Sequence, residues 1–339
     1  MHTEVAVPPS IDSLELPPFR PRFPWWGPDL QTLAVLLRSA ASDLSPHASE
    51  RTCFPMADRT GDILLGMIDR PAEPLRGAPL VILVHGLTGD ENSPYILSAA
   101  RHLLDCGHTV LRLNVRGAGP SRPYCGEHYH VGRTADFRRI LWQLPEELTR
   151  DGVVAVGYSL GGTMLLKYLG EEGAFSPLRA AVSICAPIDL MGTCRHMMRP
   201  RNLIYHAYIL NAVKAETLGE GGRLSDDERE VIRNARTVQE YDDRFIAPRY
   251  GYRDAEDYYT LCEPQAFMPE IRVPTMVLAS SDDPWIPIEH YRAFKWDDSP
   301  WLLPVLSHAG GHVGFHGHAG PRPWCDVAIE RFLERIAAS

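Results

Sequence analysis

The stretch Val153-Val154-Ala155-Val156-Gly157-Tyr158-Ser159-Leu160-Gly161-Gly162 constrains this chain more than any other. A β-branched apolar run of strand length passes into Gly-x-Ser-x-Gly, and Thr163 to Leu169 continue with helical spacing. A strand that runs straight into a helix must turn sharply, which holds the apical residue in a strained backbone conformation. The positions flanking the apex have to be small, as Gly157 and Gly161 are. Ser159 is therefore expected to stand clear of a sheet at a helix N-terminus, whose dipole favours developing negative charge.

The rest of the pattern extends that turn into an α/β fold. From Pro79 onward strands alternate with helices, which argues for a parallel sheet covered on both faces. Leu80 to Val84 reads as a buried strand ending in His85-Gly86-Leu87-Thr88-Gly89. Residues 94–106 suit a helix, and 109–115 the next strand, which opens into the glycine-rich turn at 116–121. A helix around 134–148 precedes the Ser159 strand. Further strands are expected over 180–185, 274–279 and 301–306, and an amphipathic helix over 324–337 closes the chain. Upstream, 51–57 and 63–69 flank Asp58-Arg59-Thr60-Gly61-Asp62 and read as a hairpin. Residues 1–22 form a proline-rich arm. The adjacent Trp25 and Trp26 must both pack on something, and a helix follows over 29–38.

Between Asp189 and Glu270 the strand pattern lapses. Helical spacing over 203–215 and 226–237 brackets a loop at 219–225. Tyr241-Asp242-Asp243 and Tyr258-Tyr259 add polar and aromatic surface. Such an insertion is most simply a helical cap over the carboxyl edge of the sheet, where open α/β sheets bind ligands. The alternative is an extension that never touches substrate. The expected division is an N-terminal arm and helix over 1–50, core over 51–188, cap over 189–270 and core again over 271–339.

Bulk properties narrow the function. The chain has 339 residues, 45% hydrophobic and 23% charged, as in a soluble globular protein. A net charge of −9 gives nucleic-acid binding no electrostatic support. Seven cysteines without a CxxC pair indicate neither a disulfide framework nor a zinc site. The N-terminus lacks a signal-peptide pattern, and no apolar run approaches the roughly 20 residues of a membrane span. A cytoplasmic protein without cofactor, metal or integral membrane segment is expected, and nothing specifies its oligomeric state.

A serine hydroxyl needs a base, and histidine is suited to that role near neutral pH. On a fold with this turn the order is nucleophile, acid, histidine, each following a different strand. Asp282 and Asp283 satisfy the second place; His308, His312, His316 and His318 satisfy the third. Asp283 is preferred because it opens Asp-Pro-x-x-Pro, a turn able to aim a carboxylate. His312 is preferred because Gly310 and Gly311 allow a loop to deliver it to a crowded site. The four-residue spacing of His308, His312 and His316 raises a metal alternative, but glycines at 310, 311, 314 and 317 disfavour the helix it needs. His128 and His130 read as isolated surface or cleft residues. Oxyanion donors are expected from the backbone N–H groups of Leu87 and Leu160. The side chains of His85, Tyr158 and Arg116, beside these motifs, are expected to contact substrate.

These motifs resemble the α/β-hydrolase superfamily, and specifically its YheT-like branch. The resemblance rests on His85-Gly86-Leu87-Thr88-Gly89, Asn114-Val115-Arg116-Gly117, the Ser159 turn, Ser281-Asp282-Asp283-Pro284 and Gly310-Gly311-His312-Val313-Gly314-Phe315. It extends to Phe23-Pro24-Trp25-Trp26, Leu30-Gln31-Thr32, Asn202-Leu203-Ile204-Tyr205, Tyr241-Asp242-Asp243 and Asp257-Tyr258-Tyr259, and so covers nearly the whole chain from about residue 19. The resemblance implies an α/β-hydrolase fold with about eight strands and hydrolysis of carboxylic esters by Ser159, Asp283 and His312. Some eukaryotic relatives are membrane-anchored and cleave acyl chains from phospholipids, whereas this chain shows no N-terminal anchor pattern. The expected function is a serine carboxylesterase acting on short- to medium-chain acyl esters. An acyltransferase or phospholipid acyl hydrolase would use the same triad. Peptidase or amidase action and a non-catalytic binding role stay open beside it.

Overall fold

The computed structural model describes residues 11–37, 43–318, 320 and 322–338. The first ten residues of the expected arm, and residue 38 of the expected first helix, lie outside them. Eight strands form one sheet: β1 (Ala48–Pro55), β2 (Ile63–Arg70), β3 (Leu80–Val84), β4 (Val110–Leu113), β5 (Val153–Tyr158), β6 (Ala180–Ile184), β7 (Thr275–Ser280) and β8 (Leu302–Ser307). Their spatial order is β1-β2-β4-β3-β5-β6-β7-β8. The hairpin β1–β2 and the β2–β4 pair are antiparallel, and the remaining pairs are parallel.

Alternation along the strands sorts their side chains into two layers. Leu80, Ile82 and Val84 join Leu113, Ala155, Phe137 and Leu165 on one face. Val81 and Leu83 join Val154, Val156, Ala99 and Phe332 on the other. Every residue of β3, β5, β6 and β7 is buried, because helices cover both faces. The helices used below are α1 (Pro28–Leu37), α2 (Pro94–Asp105), α3 (Thr134–Gln143), α4 (Leu160–Glu172), α5 (Leu190–Met197), α6 (Leu203–Thr217), α7 (Asp226–Asn234), α8 (Ala255–Cys262) and α9 (Trp324–Ala338). Residues of α3 and α4 pack in the first layer, those of α2 and α9 in the second. The helix expected over 134–148 is interrupted after Gln143. Leu144 precedes Pro145 and is extended (φ −65°, ψ 131°), since the proline ring disfavours helical geometry in the residue before it.

Among the described residues, the segment between β6 and β7 holds helices and turns only. It has its own apolar centre, including Leu210, Val213, Ile232, Phe245 and Cys262. α7 begins on a capping box: Ser225 Oγ accepts the Glu228 N–H at 3.2 Å, and Glu228 Oε2 accepts the Ser225 N–H at 2.8 Å. Tyr241, Tyr258 and Tyr259, expected at the surface, are buried here instead. Their rings fill this second core, and each hydroxyl finds a partner, Tyr258 Oη accepting the Val131 N–H at 3.1 Å. Tyr241 pairs with Thr217 at 2.8 Å, and Tyr259 donates to Asp242 at 2.5 Å.

Candidate active site

The turn after β5 has the strain its sequence implies. Ser159 sits at φ 49°, ψ −121°, immediately before α4. A Cβ on Gly157 would lie 2.5 Å from the Gly161 carbonyl oxygen, and one on Gly161 would lie 2.4 Å from that of His85. Both glycines are therefore required by close backbone approach.

His312 arrives on the loop after β8. Gly311 has φ 59°, and a Cβ there would lie 2.6 Å from the Pro28 carbonyl oxygen of α1. Its role is thus contact with the N-terminal helix as well as loop freedom. His312 Nε2 lies 3.0 Å from Ser159 Oγ, and His312 Nδ1 lies 2.8 Å from Asp283 Oδ2. An ionised carboxylate only accepts, so Nδ1 carries the proton and the Nε2 lone pair faces the serine hydroxyl. The other Asp283 oxygen accepts the N–H groups of Trp285 (2.8 Å) and Ile286 (3.1 Å), which fixes the carboxylate plane. The aspartate-proline turn thus aims Asp283 at the histidine. Asp282 instead supports the loop itself, its Oδ1 accepting the Gly311 N–H at 2.8 Å and the Ser280 hydroxyl at 2.5 Å.

Several supports have no clear motif in the sequence. Thr32 Oγ1 accepts the His312 N–H at 2.9 Å. Gln31 accepts the His316 N–H at 2.7 Å and donates to the carbonyls of His316 and Trp25 at 2.9 and 2.7 Å. Trp285 stacks on the His312 ring, centroids 4.3 Å apart. The only sequence signal for these was the unexplained Trp25-Trp26 and Leu30-Gln31-Thr32 run. Of the two tryptophans, Trp25 packs against His316, whereas Trp26 is 61% exposed, contrary to the expectation that both are covered.

The loop after β3 passes directly beside Ser159; a Cβ on Gly86 would lie 3.0 Å from the serine Cβ. The backbone on each side of Leu87 is pinned. The Gly86 N–H donates to Tyr95 Oη at 2.9 Å, and the Thr88 N–H to Tyr129 Oη at 2.8 Å. Tyr129 in turn donates to Glu216 of α6 at 2.8 Å, so the insertion braces this loop.

A cavity of about 430 Å³ opens over Ser159, Leu87, Leu160 and His312. Met197, Val213, Ile246 and Ile286 give it an apolar wall, while Glu216, Tyr241, Asp242 and Tyr259 form a polar region. Burial pushes the carboxyls of Glu216 and Asp242 up to about 7. His128 and His130 also line the cavity and are buried, which lowers both to about 3 and keeps them neutral at neutral pH. Of the two positions expected for them, surface or cleft, they occupy the cleft.

Three expected substrate contacts are corrected. His85, Tyr158 and Arg116 do not line this cavity. His85 is buried as a brace, with Nδ1 at 2.8 Å from the Gly86 carbonyl and Nε2 accepting the Val115 N–H at 3.2 Å. Tyr158 is fully buried beside Tyr95, in the same layer as Val154 and Val156 of β5, because alternate strand residues share a face. Arg116 is fully buried in an ionic hub with Asp136 (2.6 and 2.8 Å) and Asp62 (2.8 Å).

No helix forms over His308, His312 and His316; His308 is exposed and His316 is buried against Trp25. Cys185, Asp283 and His312 place donor atoms within 4.8 Å of one another. Asp283 and the Nδ1 proton of His312 already satisfy each other there. His102, Cys106 and Glu330 form a similar group, but Arg322 donates to His102 Nδ1 at 2.8 Å. A metal-bound histidine uses that second nitrogen to donate, so neither set fits a resident metal.

The alpha/beta hydrolase fold family matches residues 79–319. YheT of Escherichia coli (strain K12) is 32% identical over 281 residues, covering 80% of this chain and 82% of that protein. Phospholipase ABHD3 of Bos taurus is 26% identical over 76% of this chain, which spans 64% of the phospholipase's length. The Pyrococcus furiosus esterase Pf2001 shares the fold at TM-score 0.57 and 16% identity, over 86% of this chain and 94% of that one. The chain belongs to the α/β-hydrolase family, in its YheT-like branch.

Proposed function

We propose that this carboxylic ester hydrolase is a serine carboxylesterase acting on short- to medium-chain acyl esters through Ser159, His312 and Asp283. The observation that carries the reading is the hydrogen-bonded line from Asp283 through His312 to Ser159, opening into an apolar-walled cavity. His312 Nε2 takes the Ser159 proton as the hydroxyl oxygen attacks the ester carbonyl carbon. The oxyanion is received by the backbone N–H groups of Leu87 and Leu160, the latter at the N-terminus of α4. His312 then returns the proton to the departing alcohol. Water, deprotonated by His312, attacks the acyl-enzyme and releases the acid. Asp283 holds the Nδ1–H tautomer and balances the imidazolium charge in both halves.

The insertion over 189–270 serves as the cap, since α5 and α6 supply Met197, Val213 and Glu216 to the cavity wall. The names of YheT-branch relatives, phospholipase among them, support an acyl ester as the substrate class. Seven free thiols suit a reducing compartment, and among the described residues no helix is long and apolar enough to cross a membrane.

The test is hydrolysis of p-nitrophenyl esters from acetate to palmitate by the wild type and by Ser159→Ala. The expected loss in the variant is about 10⁴- to 10⁶-fold. Equal activity in the two proteins would overturn the mechanism. Excess alcohol added to the same assay separates hydrolysis from acyl transfer.

A further inference from the structure

The cavity mouth carries an apolar surface that ester hydrolysis alone leaves unexplained. Phe23 and Trp26 pack edge to face, centroids 5.5 Å apart, yet both project into solvent, as does Leu30 one turn on. Across a seam, Leu203, Ile204 and Tyr208 at the start of α6 are exposed as well, Ile204 at 85%. The two sets are neighbours because Asp29 bridges them. Its carboxylate accepts from Arg201 at 2.5 Å and from Tyr205 at 2.7 Å. Tyr205 in turn packs on Trp285, the residue stacked on His312. Thr32 and Tyr208, from the two sides of the seam, both line the cavity. The patch therefore flanks the cavity wall where Tyr208 and Thr32 line it.

Charge distinguishes what this surface fits. The protein carries 43 acidic residues and a net charge of −9, yet residues 190–215 contain no aspartate or glutamate. That stretch instead holds Arg195, Arg199, Arg201 and Lys214. Arg195 and Arg199 are exposed, and Asp29, the acid that bridges the seam, is already paired. Exposed aromatic and aliphatic side chains beside exposed arginines match a layer of acyl chains beneath anionic headgroups.

We propose that the seam between α1 and α6 docks on an anionic lipid surface, so that ester substrates enter the cavity directly from the lipid phase. The proposal deepens the esterase reading and rests on it for the fate of the ester. Docking delivers the acyl chain past Tyr208 toward Ser159 without passage through water. Helix-first contacts of this kind need no membrane-spanning segment.

The test is flotation of the full chain, carrying Ser159→Ala to prevent lipid turnover, with vesicles of phosphatidylcholine containing about one quarter phosphatidylglycerol. The expected result is co-flotation that the paired substitution Trp26→Ser with Ile204→Ser weakens at least about tenfold. Pure phosphatidylcholine vesicles and high salt should also weaken it. The same pair on the wild-type background should leave hydrolysis of soluble p-nitrophenyl butyrate unchanged, which reports folding and the esterase reading independently of docking. Absence of flotation, or equal flotation of the paired variant, would overturn the proposal. So would a dimer in sedimentation that the paired variant dissolves without any vesicle binding, because the occupant would then be a second copy of the chain.

Discussion

Thr32 Oγ1 accepts the backbone N–H of His312 at 2.9 Å, joining residues 280 positions apart. The same hydroxyl donates to the Pro28 carbonyl at 2.8 Å, so its orientation is fixed from within α1. The position of His312 is thereby tied to the N-terminal helix, outside the hydrolase core.

Replacing Thr32 with valine keeps the shape and leaves the buried His312 N–H without its acceptor. Loss of one such bond is worth about 1–2 kcal/mol. The expected outcome is a fall in kcat of roughly tenfold with KM changed less than about twofold, because valine keeps the shape that Thr32 presents to the cavity wall. Thr32→Ser should restore kcat, and steady-state kinetics on a soluble ester reads both.

The two adjacent aspartates should separate cleanly. Asp283→Asn alters the group that fixes the His312 tautomer, and kcat is expected to fall about 10⁴-fold. Asp282→Ala removes the acceptor of the Gly311 N–H and of the Ser280 hydroxyl without touching His312, so a loss of about tenfold is expected. Comparable losses in both variants would remove Asp283 from its proposed role.

Arg116 is expected to matter for folding and not for substrate choice. Its guanidinium faces the buried carboxylate of Asp62 and that of Asp136. Arg116→Met leaves the buried Asp62 carboxylate without its cation and Asp136 with Arg133 alone, with an expected loss of about 3–5 kcal/mol in urea unfolding. The chain-length preference of the fraction that folds should match wild type.

Asp326 gives the pH dependence of stability a sign. The residue is buried under α2, accepting from Ser98 at 2.8 Å, and burial pushes its carboxyl up to about 7. The native state therefore holds a proton that the unfolded chain releases above about 4. The contribution of Asp326 to stability therefore falls as pH rises from about 4 through 7 and is level beyond. Asp326→Asn keeps an acceptor for Ser98 without a titrating group. Its advantage over wild type should grow by about 2–3 kcal/mol between pH 5 and pH 8, read as a widening gap in Tm.

The continuous apolar run Leu80 to Val84, the Gly157-x-Ser159-x-Gly161 turn and the helical stretch over 189–270 made the sheet, its strained apex and its insertion legible in the chain. These are local consequences: a strand's period of two and a glycine's missing Cβ act within a few residues. The ordered positions of Asp283 and His312 could likewise be named, because each follows its own strand. What side chains touch across the fold was not written locally. Arg116, His85 and Tyr158 lie beside functional motifs in sequence, yet point into the ionic hub, the loop brace and the sheet core. Thr32, Gln31 and Trp285 hold the histidine loop, and Tyr129 with Glu216 holds the loop at Leu87. Those pairings span up to 285 residues. They depend on how helices settle on the finished sheet, so only the tertiary structure could decide them.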